Sequence, residues 1–427
     1  MKIHLETLGC KLNQSEIEAL ARRFLASGHE IVREAAQADI VILNTCTVTH
    51  VAARKSRQAL RRLRRDNPNA FLIATGCAAE MSAAELASIA NVDLVIGNPA
   101  KENIPDILAT SVPSYSCAPG DAGSKRLGPL SGALLRTRAL IKIQDGCNNA
   151  CTYCLVWKAR GRAKSRPRAE IIDEIRARAA DGYLEAVLTG VHVGSYGREF
   201  GDSLVGLVQA TLKETDIARL RLSSIEPWDF DPALLSLWPE KRLCRHLHLP
   251  LQSGCDATLR RMGRRYSTRE FAEIVTRARQ SVPEMAVTTD VIVGFPGETD
   301  AEFAASLEFV RQQHFARVHV FPYSIRPGTL AAEMPDQLNP EEKEARSRAM
   351  QMVGDESLRA FQEQFLGQVF DVLWENRQRR GDTEPLWKGL TDNYIPAVTP
   401  SAESLANTIR PARLLSWQEE AVLAELQ

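Results

Sequence analysis

Short apolar runs alternate with helix-periodic segments twice along this chain, and that repeated βα pattern restricts its fold more than any other feature. In the first pass, IHLETLG, DIVILNT, AFLIATG and DLVIG read as strands, separated by SEIEALARRFLASG, by the basic segment RKSRQALRRLRR and by SAAELASIA. This predicts an open parallel α/β sheet over residues 1–110. The Pro-, Gly- and Ser-rich segment SVPSYSCAPGDAGSKRLGPLSG reads as a linker, assigned to 111–135. The alternation resumes over 136–364 with LIKIQDG, EAVLTGVHVGSYG, RLRLSSIEP, HLHLPLQSG, AVTTDVIVGFPG and RVHVFPYS. Six strands with crossover helices suggest a barrel or partial (βα)6 barrel whose site lies at the strand carboxyl ends. Asn339, Pro340 and Glu342 mark a helix start, and residues 365–427 then read as short strands between turns, a small β-barrel.

The nine cysteines follow this organisation. Their number is odd, and the N-terminus MKIHLETLGCKLNQ has no basic region followed by an apolar run. The expectation is a cytoplasmic protein without a membrane span, whose cysteines serve metal or redox chemistry rather than a disulfide framework. Cys10 follows the first strand so read, Cys46 the second and Cys77 the third. In an open parallel sheet the carboxyl ends share one edge, so residues 36 and 31 positions apart can meet there. The alternative is three small apolar residues capping buried strands.

A second triplet, Cys147, Cys151 and Cys154, is packed into eight residues of IQDGCNNACTYC. Three thiolates are one short of a structural zinc site or a fully protein-ligated iron cluster. A C-x3-C-x2-C cluster can occupy one face of a cubane and leave the fourth iron open; a zinc site completed by a distant His or Cys is the alternative. Cys117, Cys244 and Cys255 read as non-ligands. His246 and His248 alternate on one strand face, where satisfied core or rim residues are commoner than metal ligands.

The spacing of the second triplet, in a loop after the first barrel strand with Tyr153 before the last cysteine, resembles the radical S-adenosylmethionine superfamily. That resemblance implies a [4Fe-4S] cluster whose open iron is chelated by S-adenosylmethionine, and cleavage of the sulfonium to a 5′-deoxyadenosyl radical. ETLGCKLNQSE, NTCTVT and ATGCAAE narrow it: they resemble the N-terminal domain of the methylthiotransferases, where three such cysteines hold a second [4Fe-4S] cluster, again with one open iron. The last 60 or so residues resemble the TRAM RNA-binding barrel that ends those enzymes, so the likeness covers almost the whole chain. TLGCKLN and NTCTVT are most similar to the subgroup acting on N6-threonylcarbamoyladenosine at position 37 of tRNA. Relatives acting on isopentenyladenosine carry glutamine where this chain has Lys11, and others modify a ribosomal protein aspartate. Trp157 and Lys158 depart from the residues common in the family at that loop.

The resemblance implies cluster ligation by Cys10, Cys46, Cys77, Cys147, Cys151 and Cys154, and sulfur supplied through the N-terminal cluster. It implies cofactor contacts from Tyr153, Gly190, Ser223, Ser224, Glu226 and Gln252, each of which also has a plain role as a strand-end turn residue. The implied partners are the tRNA anticodon stem-loop, an electron donor and a sulfur source for cluster repair, with no membrane. Both open irons would have to face one cavity.

Net charge is zero, which argues against a general polyanion binder. Charge is nevertheless segregated: residues 54–65 hold seven basic residues, 158–168 six and 260–269 five, without an acid among them. Each patch alone is as readily a solvated face; together they suggest a nucleic-acid surface. Arg160 and Arg162 are candidates for RNA, substrate or second-cluster contacts, and Arg377 and Lys388 for RNA. Trp374, Trp387, Tyr394, Arg379 and Arg380 would join that grip, although the aromatics suit a barrel core equally well. Two rivals remain: a radical enzyme whose auxiliary cluster passes electrons instead of sulfur, and a non-enzymatic RNA-binding iron–sulfur sensor.

Overall fold

Residues Ile40–Thr45 are buried at every position, as a central strand covered on both faces must be. In the computed structural model, which describes residues 1–111, 115, 137–378, 385–418 and 420–427, this strand (β3) lies in the middle of a five-stranded parallel sheet. Its neighbours are β1 (Lys2–Thr7), β2 (Glu30–Val32), β4 (Phe71–Gly76) and β5 (Leu94–Ile96), in the order β2-β1-β3-β4-β5. The chain leaves β1 for β2 on one side and returns to β3 on the other. A crevice therefore opens at the carboxyl ends of β1 and β3, the usual ligand position in such sheets. The three-residue β2 is too short to show an alternation and escapes sequence reading. Helix His50–Asp66 buries Ala53, Ser56, Ala59, Leu60 and Leu63 on one stripe and turns its arginines outward; Thr49 caps it by accepting from Ala52 N.

The central unit has six parallel strands: β6 (Arg138–Lys142), β7 (Glu185–Thr189), β8 (Arg219–Leu222), β9 (His246–His248), β10 (Ala286–Val293) and β11 (Arg317–Pro322). They pair as β6-β7-β8 and β9-β10-β11, with parallel bridges Leu220↔Leu243 and Ser224↔His248 joining the two groups into a partial barrel. Ala186, Leu188, Leu220, Leu222, Val287 and Val291 belong to the large apolar core. The alternate positions Glu185, Arg219, Arg221, His246, His248 and Asp290 carry polar or charged side chains, as strand alternation requires of the opposite face.

Helix Pro340–Glu363 starts with Asn339 as cap and Glu342 closing a capping box. It leads to a closed barrel of β12 (Val369–Gln378), β13 (Leu386–Thr391), β14 (Pro396–Pro400), β15 (Thr408–Gln418) and β16 (Ala421–Leu426). Trp374 and Trp387 are core residues of this barrel and do not form an exposed RNA grip. Its turn after β13 plugs the floor of the central unit. There, Arg219 donates to Leu390 O at 3.1 Å, and Arg221 donates to Thr391 O at 3.2 Å and Asp392 O at 3.0 Å. The Tyr394 ring stacks on His246 with centroids 4.1 Å apart. Arg377 is exposed and Lys388 half-buried, whereas Arg379, Arg380 and most of the 111–135 linker, including Cys117, lie outside the described residues. Among the described residues no helix is long and apolar enough to cross a membrane.

Candidate active site at the domain junction

Cys10, Cys46 and Cys77 follow β1, β3 and β4, three adjacent strands, so the sheet itself delivers them to one edge. Cys10 is the cap residue of helix Lys11–Ala26 and Cys77 opens helix Cys77–Met81. Two glycines permit the approach. Gly9, at φ +104°, lies where a Cβ would stand 2.7 Å from both Cβ and Sγ of Cys46. Gly76, at φ +97°, would place a Cβ 2.4 Å from Thr45 O. Only glycine fits either position. Asn13 accepts from the Cys10 thiol at 3.8 Å and ties the loops by donating to Leu8 O and Thr45 O. Asn98 Nδ2 lies 3.7 Å from Cys77 Sγ. Burial first, helped by the neighbouring Cys77 and Cys10 sulfurs and opposed by a backbone hydrogen bond at Val48, pushes the Cys46 thiol up to about 11.

The second triplet is shaped locally. Cys147 N donates to Gly161 O at 3.1 Å, and Cys154 N to Cys151 O at 3.0 Å. Each sulfur then accepts a hydrogen bond: Cys147 from Asn149 N and Nδ2 at 3.4 and 3.5 Å, Cys154 from Val156 N at 3.4 Å, and Cys151 from Arg264 Nη1 at 3.6 Å. Each of the three sulfurs faces a donor, which favours a thiolate, but burial outweighs this at Cys151 and pushes Cys154 up to about 12. Burial alone would raise Cys147, but hydrogen bonds from His192 and Asn149 outweigh it and lower its pKa. His192 is held by Asp229, and against the cost of burial Asp229 and Cys147 raise its pKa to about 9. His192 and Asp229 also line a cavity of about 360 Å³ with Asn149, Trp228 and Arg265. Arg264 is sandwiched near Trp228 and Tyr266, 4.4 and 5.3 Å from their ring centroids, and pairs with Glu226. Sequence reasoning missed His192 and Arg264; Arg264 lies 113 residues from the cysteine it touches.

The expected cofactor residues line the same rim. Tyr153 is half-buried with its ring edge-on to Phe295. Gly190 packs where a Cβ would meet Gln144 O at 2.9 Å, just ahead of the triplet. Ser223 is buried and its Oγ has no hydrogen-bond partner among the described residues, which leaves it available to a guest. Ser224 is exposed at the bridge to His248. Glu226 is committed to Arg264, and Gln252 holds the left-handed backbone at φ +64° beside Val291.

Arg160 departs from one of its expected roles, the contact with RNA. Its side chain is only 2% exposed and does not reach a surface where RNA phosphates bind. The guanidinium bridges the two triplets' supports instead, at 2.9 Å from Glu16 Oε1 and Asp145 Oδ1 and 2.6 Å from Asn13 Oδ1. Lys101 and Lys142 close the network on Glu16 at 2.6 and 3.6 Å. Helix Cys77–Met81 packs on helix Val156–Arg160, and Asn98 Nδ2 reaches Ala159 O at 2.6 Å. On the far side Arg326 donates to Thr47 beside Cys46 at 2.5 Å. Both triplets thus lie at one domain junction.

The basic patches are likewise partly spent inside the fold. Arg62 pairs with Glu6, Arg64 with Asp93, Arg166 with Glu174, Arg168 with Asp202 and Arg261 with Glu302. Arg54, Lys55, Arg61, Arg162, Arg265 and Arg269 remain exposed.

Neither triplet draws its sulfurs to the spacing of a single ion. Among the described residues only His248, Asp290 and His319 bring ligand atoms within 4.8 Å of one another. Wider spacing disfavours zinc and suits a group in which each thiolate holds a different iron. His246 lies outside that histidine–aspartate group, and both His246 and His248 hydrogen-bond Thr288 Oγ1.

Comparison with known proteins agrees with this architecture. Residues 141–310 match the radical SAM superfamily, and residues 2–97 match the family described as uncharacterized protein family UPF0004. The fold is shared with the radical S-adenosylmethionine methyltransferase TsrM from Kitasatospora setae, at TM-score 0.57 and 16% identity over 78% of this chain and 77% of that one. The class is therefore that of the radical S-adenosylmethionine enzymes. The threonylcarbamoyladenosine tRNA methylthiotransferase MtaB of Bacillus subtilis is 35% identical over 97% of this chain and 93% of its own. MtaB of Thermotoga maritima is 37% identical over 99% and 96%. The tRNA-2-methylthio-N(6)-dimethylallyladenosine synthase of Geobacillus thermodenitrificans is 35% identical over 88% and 75%. The chain belongs to the radical S-adenosylmethionine tRNA methylthiotransferases, and is a transferase.

Proposed function

We propose that this enzyme adds a methylthio group at C2 of N6-threonylcarbamoyladenosine beside the anticodon of tRNA. Support for the substrate comes from relatives so named, which align over 96–99% of the chain, against 88–89% for the dimethylallyladenosine synthases. The observation that carries the chemistry is the Arg160–Glu16–Asp145 bridge, which holds two three-cysteine sites at one junction. In this reading Cys147, Cys151 and Cys154 hold one [4Fe-4S] cluster and Cys10, Cys46 and Cys77 a second.

The donor sets fit: three thiols apiece, spread wider than a single ion needs, and in the Cys147–Cys154 triplet at least one hydrogen-bond donor for every sulfur. When bound, the first cluster and S-adenosylmethionine supply a carbon radical able to act on the unactivated C2–H of adenine. The protein's own residues hold and orient: Asn149, Val156 N–H and Arg264 stabilise the thiolates, and the unpartnered Ser223 Oγ, with Tyr153, Gly190 and Gln252, offers contacts for S-adenosylmethionine. The remaining parts of this reading are a 1–110, 136–364 and 365–427 domain division, a cytoplasmic setting, an electron donor, and a sulfur source that restores the second cluster.

Mass spectrometry of tRNA nucleosides from cells with and without the gene tests it. Loss of the 2-methylthio threonylcarbamoyl derivative alone is the expected result. Loss of the dimethylallyl derivative would move the substrate, and no change in any nucleoside would overturn the tRNA reading.

A further inference from the structure

His248 on β9, Asp290 on β10 and His319 on β11 share the strand face opposite the large apolar core. Asp290 and His319 are direct partners in the β10–β11 register, and His248 is the partner of Thr288, two residues before Asp290. Adjacent parallel strands and a two-residue alternation thus bring one carboxylate and two imidazoles together. Their ligand atoms all lie within 4.8 Å of one another. His248 Nε2 stands 3.3 Å from Asp290 Oδ2, and the rings of His248 and His319 have centroids 6.0 Å apart.

The surroundings suit an ion. His248 Nδ1 lies 2.9 Å from Thr288 Oγ1, a contact that fixes the ring and turns Nε2 toward Asp290, as the outer hydrogen bond of a metal-bound histidine does. Among the described residues the Asp290 carboxylate has no partner besides His248, and the His319 ring has neither a hydrogen bond nor an ion pair. All three side chains belong to half-buried residues, and His319 also lines a groove of about 570 Å³ with Gln351, Asp355 and Trp417, an approach for an ion from solvent. Ligands at about 2.0–2.2 Å from a tetrahedral zinc stand roughly 3.4 Å apart, the separation His248 and Asp290 already have, which leaves His319 about an ångström to close. Two imidazoles and a carboxylate are borderline donors, a set that zinc accepts.

We propose that His248, Asp290 and His319 form a zinc site that uses no cysteine and is separate in its ligands from both triplets. Three protein ligands leave a fourth position for water or for an oxygen of a guest. β11 ends its sheet and pairs with β10 alone in it, so an ion held from three strands also fastens that edge. The site stands whichever nucleoside the enzyme modifies.

The test uses the full-length enzyme, reconstituted anaerobically with iron and sulfide and then dialysed against zinc, with metal content and zinc X-ray absorption as readouts. One zinc per chain is expected, with nitrogen and oxygen neighbours at about 2.0–2.2 Å and no sulfur at about 2.3 Å. Losing an outer hydrogen bond typically weakens such sites about 10- to 100-fold, so His319→Ala, which removes a ligand, should weaken zinc binding by at least about 100-fold with iron content unchanged. Because Asp290 also pairs with His248, Asp290→Asn serves as the second variant and should lose zinc likewise. Zinc absent from the unaltered enzyme, or bound there through sulfur only, overturns the proposal. So does zinc held by both variants as tightly as by the unaltered enzyme.

Discussion

The two cysteine triplets reach the same local order by opposite routes. Cys147, Cys151 and Cys154 sit within eight residues, and the loop's own amides and Asn149 serve two of the sulfurs. Cys10, Cys46 and Cys77 are dispersed over 68 residues and meet because β1, β3 and β4 are neighbours and Gly9 lets two loops touch. A local site depends on its loop; a dispersed site depends on the whole sheet. The first should therefore tolerate damage to the N-terminal domain that the second does not.

Cysteine substitution gives the largest expected separation. Cys151→Ala should reduce both cleavage of S-adenosylmethionine and methylthiolation below about 1% of the unaltered enzyme. Cys77→Ala should abolish methylthiolation to the same extent yet retain cleavage, measured as 5′-deoxyadenosine formed under reducing conditions. Loss of both activities in Cys77→Ala with the fold intact would break the distinction between the sites.

The Arg160 bridge is the next lever. Removing one partner of a buried ion network typically costs about 3–5 kcal/mol, so Arg160→Met should lower unfolding stability by that order and depress methylthiolation more than cleavage. Acid should act on the same network. Burial opposes ionisation of Glu16, but Lys101, Arg160 and Lys142 outweigh it and hold its carboxyl well below 4.5. Its stabilising contribution is thus complete above about pH 4.5 and is lost as pH falls through the depressed value, a decline that Glu16→Gln should flatten in acid unfolding curves.

Gly9→Ala should cost about 1–3 kcal/mol through its positive φ and the Cys46 contact, and should lower iron bound at the dispersed site alone. The smallest effect belongs to the surface. Arg54, Lys55 and Arg61 are exposed, and replacing one that neutralises a phosphate by glutamine should shallow the log–log salt dependence of tRNA binding by about 0.7–0.9.

Much of this comparison is legible in the amino-acid sequence. Period-two and helical patterns place the six barrel strands and Asn339 at a helix start, and the strand-end cysteines imply a shared edge. What escapes is short or long-range. β2 has three residues, too few to show an alternation. Arg160 reads as one cation in a basic run because Glu16, which buries it, is 144 residues away. Arg264 belongs to another such run, and its partners are a cysteine and a glutamate on separate loops. Charge in sequence shows only the composition of a patch; burial and pairing are decided by what the fold brings against it.

The presence of two clusters is decided by iron content together with Mössbauer spectroscopy of anaerobically reconstituted protein. Two three-cysteine sites each holding a [4Fe-4S] cluster predict about eight irons per chain, falling to about four when Cys10, Cys46 and Cys77 are all replaced by alanine. About four irons in the unaltered protein, unchanged by that triple substitution, would contradict a second cluster and leave the sheet-edge cysteines as packing residues.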